Sequence, residues 1–295
     1  MLIGKFIDYL QIEKNYSSNT LSAYEKDLIE FQIFIKENFE KYPIENAEYK
    51  VIRLWIVELV NKNLSNRSIN RKVSSLKSFY KFLVKTDTIS SSPLLAHSPL
   101  KQSKKIQVPF SKEEINSLLD SDSFKDDYRG VLQKTIITFF YFTGVRRIEL
   151  INIKESDINM DSSTLRIMGK RSKERIIPML PKLKKSIIDY LNLRSQEFNR
   201  QTLKYLFVSK SGSQLSEKYV YRTVNEYFKL VSPKVKKAPH VLRHSFATHL
   251  INEGADINSV KELLGHSSLS ATQVYSHTSM ERIKEVFKNS HPRAK

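Results

Sequence analysis

The run Pro239-His240-Val241-Leu242-Arg243-His244-Ser245-Phe246-Ala247-Thr248-His249-Leu250 decides how the rest of the chain reads. Proline suits the first turn of a helix, where its missing N–H is no loss, so the spacing predicts a helix from Pro239 to about Glu253, stopped at Gly254. His240 and Arg243 share one face of it. Leu242, Phe246, His249 and Leu250 lie opposite, which docks the helix on a core and leaves the His/Arg pair over a cleft. Downstream, Asp256 caps a short helix whose Val260, Leu263 and Leu264 pack inward, and Gly265 ends it. His266 follows at once, with Tyr275 a short way beyond.

His240 and His244 also share a helix face, the spacing of a metal pair. No acidic or cysteine ligand accompanies them and Arg243 between them repels a cation, so no metal is expected. His244 and His249 read as hydrogen-bonded core or supporting residues.

Upstream, Val131 to Phe142 is apolar nearly all round, the pattern of a helix central to a core. It stops at Thr143-Gly144-Val145-Arg146-Arg147-Ile148-Glu149-Leu150, where Gly144 ends the helix and an arginine follows at the core's edge. A buried ion pair of Arg146 with Glu149 is the plainer reading of that arginine, a place in a reactive site the sharper one. Ser111-Lys112-Glu113-Glu114 forms a capping box ahead of Ile115, Leu118 and Leu119. Thr164-Leu165-Arg166-Ile167-Met168 and Arg175-Ile176-Ile177-Pro178 read as strands joined by the turn Gly169-Lys170-Arg171-Ser172-Lys173, a hairpin with a basic tip. Lys170 stands at its apex, placed either for a phosphate or for solvent. Further helices are expected at about 181 to 199 and 216 to 230.

Residues 1 to 90 read as four helices, at about 3 to 14, 18 to 38, 48 to 63 and 66 to 85. The fourth buries Ile69, Val73, Leu76, Phe79, Tyr80, Leu83 and Val84, and carries Arg67, Arg71, Lys81 and Lys85 on its other side. From Leu59 to Thr86 there are seven basic residues and no acidic one, a concentration that marks either a nucleic-acid face or a solvated one. Serines, prolines and lysines between Ser90 and Pro109 mark an interdomain linker.

The chain's 295 residues suffice for two domains with their own cores. Only Gly4, of 7 glycines, precedes residue 130, which favours a nearly all-helical first third. Cysteine is absent, excluding disulfides and thiolate chemistry. The opening Met1-Leu2-Ile3-Gly4-Lys5-Phe6-Ile7-Asp8 lacks the pattern of a secretory signal. The most apolar run, Ile136 to Phe142, is far shorter than the roughly 18 to 20 residues of a membrane span. Forty-nine Lys and Arg against 31 Asp and Glu leave a net charge of +18, so a polyanion is the expected partner.

Two arginines (Arg146, Arg243), a hairpin lysine (Lys170), two histidines (His240, His266) and a tyrosine (Tyr275) suit phosphoryl transfer. Guanidiniums can stabilise charge on the equatorial oxygens without a metal, and a tyrosine can hold a covalent phosphoenzyme. In order and spacing, Thr143-Gly144-Val145-Arg146 with Glu149-Leu150, Gly169-Lys170 with Lys173-Glu174-Arg175, His240-Val241-Leu242-Arg243, Leu264-Gly265-His266 and Tyr275 resemble the tyrosine recombinase (phage-integrase-like) family. Within it, His244 to Leu250 and the ending His291-Pro292-Arg293-Ala294-Lys295 are most similar to the Xer recombinases. Arg171 departs from the glycine usual after the lysine, and Arg147-Ile148 departs before Glu149; neither touches a catalytic position.

The resemblance implies a mainly α fold with a small β-hairpin or sheet in the catalytic domain. It divides the chain into a four-helix core-binding domain (1–90), a linker (91–107) and a mixed α/β catalytic domain (108–295) with a C-terminal helix. The implied activity is site-specific recombination through a 3′-phosphotyrosine, serving chromosome dimer resolution, with no cofactor. Tyr275 is then the nucleophile, Arg146 and Arg243 hold the non-bridging oxygens, and Lys170 is the general acid. His240 assists proton transfer, His266 bonds the phosphate, and Glu149 orients Arg146. Arg67, Arg71, Lys81, Lys85, Arg171 and Lys173 are the expected DNA contacts.

The implied partners are double-stranded DNA half-sites, a homotetramer or a heterotetramer with a second recombinase, and optionally a septal DNA translocase. A cytoplasmic, nucleoid-associated place follows, without membrane insertion. Met280, Ile283, Val286 and Phe287 form a one-sided apolar helix, expected to couple protomers or else to fold back on its own domain. The rivals are an integrase of a phage or mobile element and a catalytically silent DNA-binding protein.

Overall fold

Helical spacing of apolar side chains builds the first of two compact units, residues 1–105 and 106–295, in the computed structural model. The structure describes residues 2–39, 42–102, 107–169, 173–198, 203–234, 236–265, 287 and 289–293. In the first unit α1 (Leu2–Ile12), α2 (Ser18–Asn38), α3 (Tyr49–Asn61) and α4 (Asn66–Lys85) share one core. Trp55 of α3 lies at its centre, 4.9 Å from the Phe31 ring, and Tyr80 donates to the Ile44 carbonyl at 2.7 Å. The α4 stripe is buried as its spacing predicts, except that Val84 is half-buried and Phe82 joins the core.

One ionic cluster sits inside this helical packing. Asp27 of α2, 1% exposed, accepts from Arg71 Nη2 at 2.8 Å, Lys72 Nζ at 3.3 Å and Ser75 Oγ at 3.2 Å. Lys72 is thereby turned inward, where a buried carboxylate finds the partners it requires. The segment after α4 is fixed to this unit as far as Lys101. Leu94 enters the core, Asn70 exchanges two hydrogen bonds with Leu100, and Asn66 donates to the Lys101 carbonyl.

The second unit is built on α6 (Tyr128–Thr143), against which α8 (Pro181–Glu197) and α10 (Pro239–Asn252) pack. Its all-round apolar sequence is buried on nearly every side. α5 (Lys112–Leu119) opens with the capping box: Ser111 N donates to Glu114 Oε2 at 2.7 Å, and Glu114 N to Ser111 Oγ at 3.2 Å. After α7 (Arg147–Asn152) comes an antiparallel sheet in the order β1 (Ile158–Asn159), β2 (Thr164–Met168), β3 (Glu174–Pro178). Leu165 pairs with Ile177 and Ile167 with Arg175. Gly169 N donates to Lys173 O at 2.8 Å, closing the hairpin; the expected tip residues Lys170 and Arg171 lie outside the described residues. α9 (Glu217–Val231) and α11 (Ile257–Leu264) are further α-helices of the unit among the described residues.

Of the terminal apolar residues, Met280, Ile283 and Val286 lie outside the described residues. Phe287 is buried in its own unit, 6.0 Å from the Phe246 ring. His291 follows it into the same core, and Arg293 forms an ion pair with Asp120. Among the described residues no helix is long and apolar enough to cross a membrane.

Candidate active site

Gly144 sets the start of the site. It ends α6 at φ 59°, a left-handed conformation, and a Cβ there would fall 2.5 Å from Phe246 Cδ1 and 2.9 Å from Leu264 Cδ2. Only glycine lets α10 and α11 approach this closely. The chain then turns into α7 with Arg146 at its N-cap position, so this side chain follows the end of α6 and reaches the end of α11.

Arg146 donates through its backbone N to Glu149 Oε2 at 2.8 Å, through Nη1 to Glu149 Oε1 at 2.7 Å, and through Nη2 to Gly265 O at 3.3 Å. Arg243, half-buried on α10, donates through Nη2 to Leu264 O at 2.7 Å and through Nη1 to Gly144 O. The two arginines therefore converge on the C-terminal end of α11, whose last carbonyls have no partners within the helix and carry its negative dipole end. Burial, then the positive charge of Arg146, lowers Arg243 to about 10, which still leaves it a cation at neutral pH.

Arg146 forms the ion pair with Glu149 and, through its other terminal nitrogen, still reaches the Gly265 carbonyl. Glu149 is 5% exposed and is gripped from its other side by Arg175, through Nη1 at 3.1 Å and Nη2 at 2.7 Å. Burial pushes the Glu149 carboxyl up, but the hydrogen bonds and charge of Arg175, with those of Arg146, outweigh it and hold the carboxyl below its ordinary value. Three guanidiniums and one carboxylate leave two net positive charges at the end of α11, a match for a phosphodiester gaining charge in its transition state.

Arg175 lies within the family motif, which implies no role for it. The available signal was strand alternation: Arg175 and Ile177 take the inward positions of β3, with Glu174 outward. A charged residue at an inward strand position requires a buried partner.

His240 stands exposed on α10, with desolvation, then Lys236 and Arg147, lowering its imidazole below the ordinary value. It is thus neutral at physiological pH and able to accept a proton. His249 belongs to the core, its Nδ1 3.1 Å from Tyr141 Oη, while His244 is exposed. Lys173 is exposed at the base of the hairpin. Lys170, Arg171, His266 and Tyr275 lie outside the described residues.

On α4, the four cations expected to meet DNA are all exposed but not equivalent. Arg71 is committed to buried Asp27, and Lys85 pairs with Glu13 at 2.8 Å, both partners more than half exposed. Among the described residues no ion pair involves Arg67 or Lys81.

Residues 110–282 match the model of the phage integrase family, and residues 3–87 that of the phage integrase N-terminal SAM-like domain. The chain is 38% identical to the tyrosine recombinase XerC of Bacillus pumilus, over 99% of this chain and 97% of the relative. It is 36% identical to the XerC of Staphylococcus saprophyticus, over 98% and 97%. Among solved structures, the XerH site-specific recombinase bound to a palindromic difH substrate superposes with a TM-score of 0.71 at 22% identity, covering 97% of this chain and 94% of that one. The Tn1549 transposon integrase in complex with transposon right-end DNA superposes at 0.70 and 20% identity, over 96% and 99%, so the fold itself is common to both kinds of recombinase. With a family model spanning most of its length and relatives that align from end to end, the chain belongs to the phage integrase family of tyrosine recombinases, enzymes that cut and rejoin DNA at specific sites.

Proposed function

We propose that this recombinase resolves chromosome dimers, with Arg146 and Arg243 clamping the scissile phosphate and Tyr275 attacking it. The observation that carries the reading is the convergence of those two guanidiniums on the successive carbonyls of Leu264 and Gly265. It aims two planar donor forks at one place in a site already net positive.

The Tyr275 phenol oxygen forms a bond to phosphorus as the bond to the 5′-oxygen breaks, leaving a 3′-phosphotyrosine. Lys170 gives its proton to the departing 5′-oxygen, and neutral His240 takes up the proton of the phenol. His266 bonds a non-bridging oxygen. Attack by a 5′-hydroxyl on the phosphotyrosine reverses the step on the partner strand, so bond energy is conserved and no cofactor is consumed.

Residues 1–90 form a core-binding domain and residues 108–295 the catalytic domain in this reading, joined through 91–107. Arg67, Lys81 and Lys85 of α4, with Arg171 and Lys173 of the hairpin, meet the DNA backbone. Four protomers, of this chain alone or with a second recombinase, act on two paired sites in the cytoplasm, with a septal DNA translocase as a further partner. The relatives named XerC support the chromosomal role.

The test is incubation with a nicked duplex carrying the chromosome-dimer resolution site of the source genome, followed by denaturing electrophoresis. Covalent adducts are expected, and Tyr275→Phe should bind the same duplex without forming any. Adducts in that variant would overturn the assignment of the nucleophile.

A further inference from the structure

The end of α11 holds three guanidiniums on three consecutive carbonyls: Arg175 Nε on Leu263 O at 2.9 Å, Arg243 Nη2 on Leu264 O at 2.7 Å, and Arg146 Nη2 on Gly265 O at 3.3 Å. Two of these arginines reach the surface. Arg175 does not: it is 4% exposed, at an inward position of β3, and the helix stop lies against it, where a Cβ on Gly265 would come within 3.2 Å of Arg175 Cδ. No phosphate can reach it.

We propose that Arg175 is a positioning residue for strand cleavage, setting Arg146 through Glu149 and Arg243 through the end of α11. This rests on the reading of Arg146 and Arg243 as the phosphate clamp. Each Glu149 oxygen accepts one bond from Arg175 and one from Arg146: Oε1 from Arg175 Nη1 and Arg146 Nη1, Oε2 from Arg175 Nη2 and the Arg146 backbone N. The carboxylate therefore lies fixed between them, and its charge is shared.

Two consequences follow from the shared carboxylate. Its direction fixes the plane of the Arg146 fork, because Glu149 cannot rotate while Arg175 holds both oxygens. Its charge is partly cancelled by Arg175, so Arg146 keeps more of its own positive charge for a phosphate. The third bond of Arg175, to Leu263, reaches the residue next to the carbonyl that orients Arg243. One buried side chain thus ties β3, α7 and α11 around both arginines of the clamp, and small displacements at such distances are costly to chemistry.

Arg175→Lys keeps the charge but replaces three donors in a plane by a single point, which cannot serve Glu149 and Leu263 together. This variant should melt cooperatively and bind a half-site duplex as the parent does, while single-turnover adduct formation on the nicked resolution-site duplex falls on the order of 100-fold. The deficit should shrink when the scissile phosphate is replaced by a methylphosphonate, whose neutral non-bridging groups place less demand on the clamp. Glu149→Gln, which keeps the shape and removes the charge, should show the same pattern.

Parental cleavage by Arg175→Lys, an equal deficit on both duplexes, or loss of cooperative melting in both variants overturns the positioning role. Arg146→Ala, run in parallel, separates the two readings. If Arg146→Ala still forms adducts the clamp reading itself has failed; if it is inactive while Arg175→Lys cleaves normally, only the positioning role has failed.

Discussion

His291 lies with Nε2 3.2 Å from the carbonyl oxygen of Tyr141, and its Nδ1 accepts the backbone N–H of Arg293 at 3.2 Å. An accepting Nδ1 makes Nε2 the protonated nitrogen, so the ring is neutral and donates to Tyr141. It stacks on Phe142 at 4.6 Å and is 3% exposed, fastening the end of the chain to the central helix of its own unit.

Burial first, then the charges of His249, Arg293 and Lys182 against the opposing Tyr141 hydrogen bond, lowers His291 from 6.5 to about 4. The unfolded chain therefore binds a proton near pH 6.5 that the folded chain refuses until about pH 4. Its contribution is fully present above pH 6.5 and is lost as pH falls through that window, a change of about 3 kcal/mol. Thermal melts across the window should show this slope, and His291→Phe, which keeps the stacking, should flatten it.

On α4 the structure divides a set of cations that the sequence presents as equal. Arg67→Ala with Lys81→Ala should flatten the dependence of log affinity on log salt by about 2, as two phosphate contacts are lost. Arg71→Ala should leave that slope nearly unchanged and instead cost roughly 1 kcal/mol of stability, discounted for its half-exposed guanidinium, because Asp27 loses a partner. Urea denaturation and salt-titrated gel shifts separate the two effects.

Arg243 spans Gly144 O and Leu264 O with two nitrogens of one plane. Arg243→Lys cannot span both, so it should lose roughly 3 kcal/mol of transition-state stabilisation, read as adduct rate, while DNA binding persists. Arg146→Lys should behave alike. Near-parental adduct rates in either variant would remove that arginine from the clamp.

Cleavage should survive EDTA, since in the proposed mechanism Arg146, Arg243 and Lys170 supply the charge that a metal supplies in other phosphoryl-transfer sites. Loss of adducts on chelation, restored by magnesium, would contradict this.

Periodicity and glycine punctuation made most of the fold legible. Apolar spacing located α4, α6 and α10, and Gly144 and Gly265 marked the two helix stops in left-handed geometry. These features depend on neighbours along the chain, so local sequence determines them. The motif spacing carries the family resemblance and singles out Arg146, His240 and Arg243 as candidates.

Charge pairing was settled only by tertiary packing. Arg71 and Lys85 look alike on one helix, yet Arg71 meets a carboxylate buried in α2 and Lys85 a solvated one. Strand alternation turns Arg175 inward, but its partners are named only when α7 and α11 bring Glu149 and the Leu263 carbonyl around it. A hydrogen-bond partner distant in sequence leaves no periodic trace, because the strength of a charge pair depends on burial and direction, and both are created when the elements close on one another.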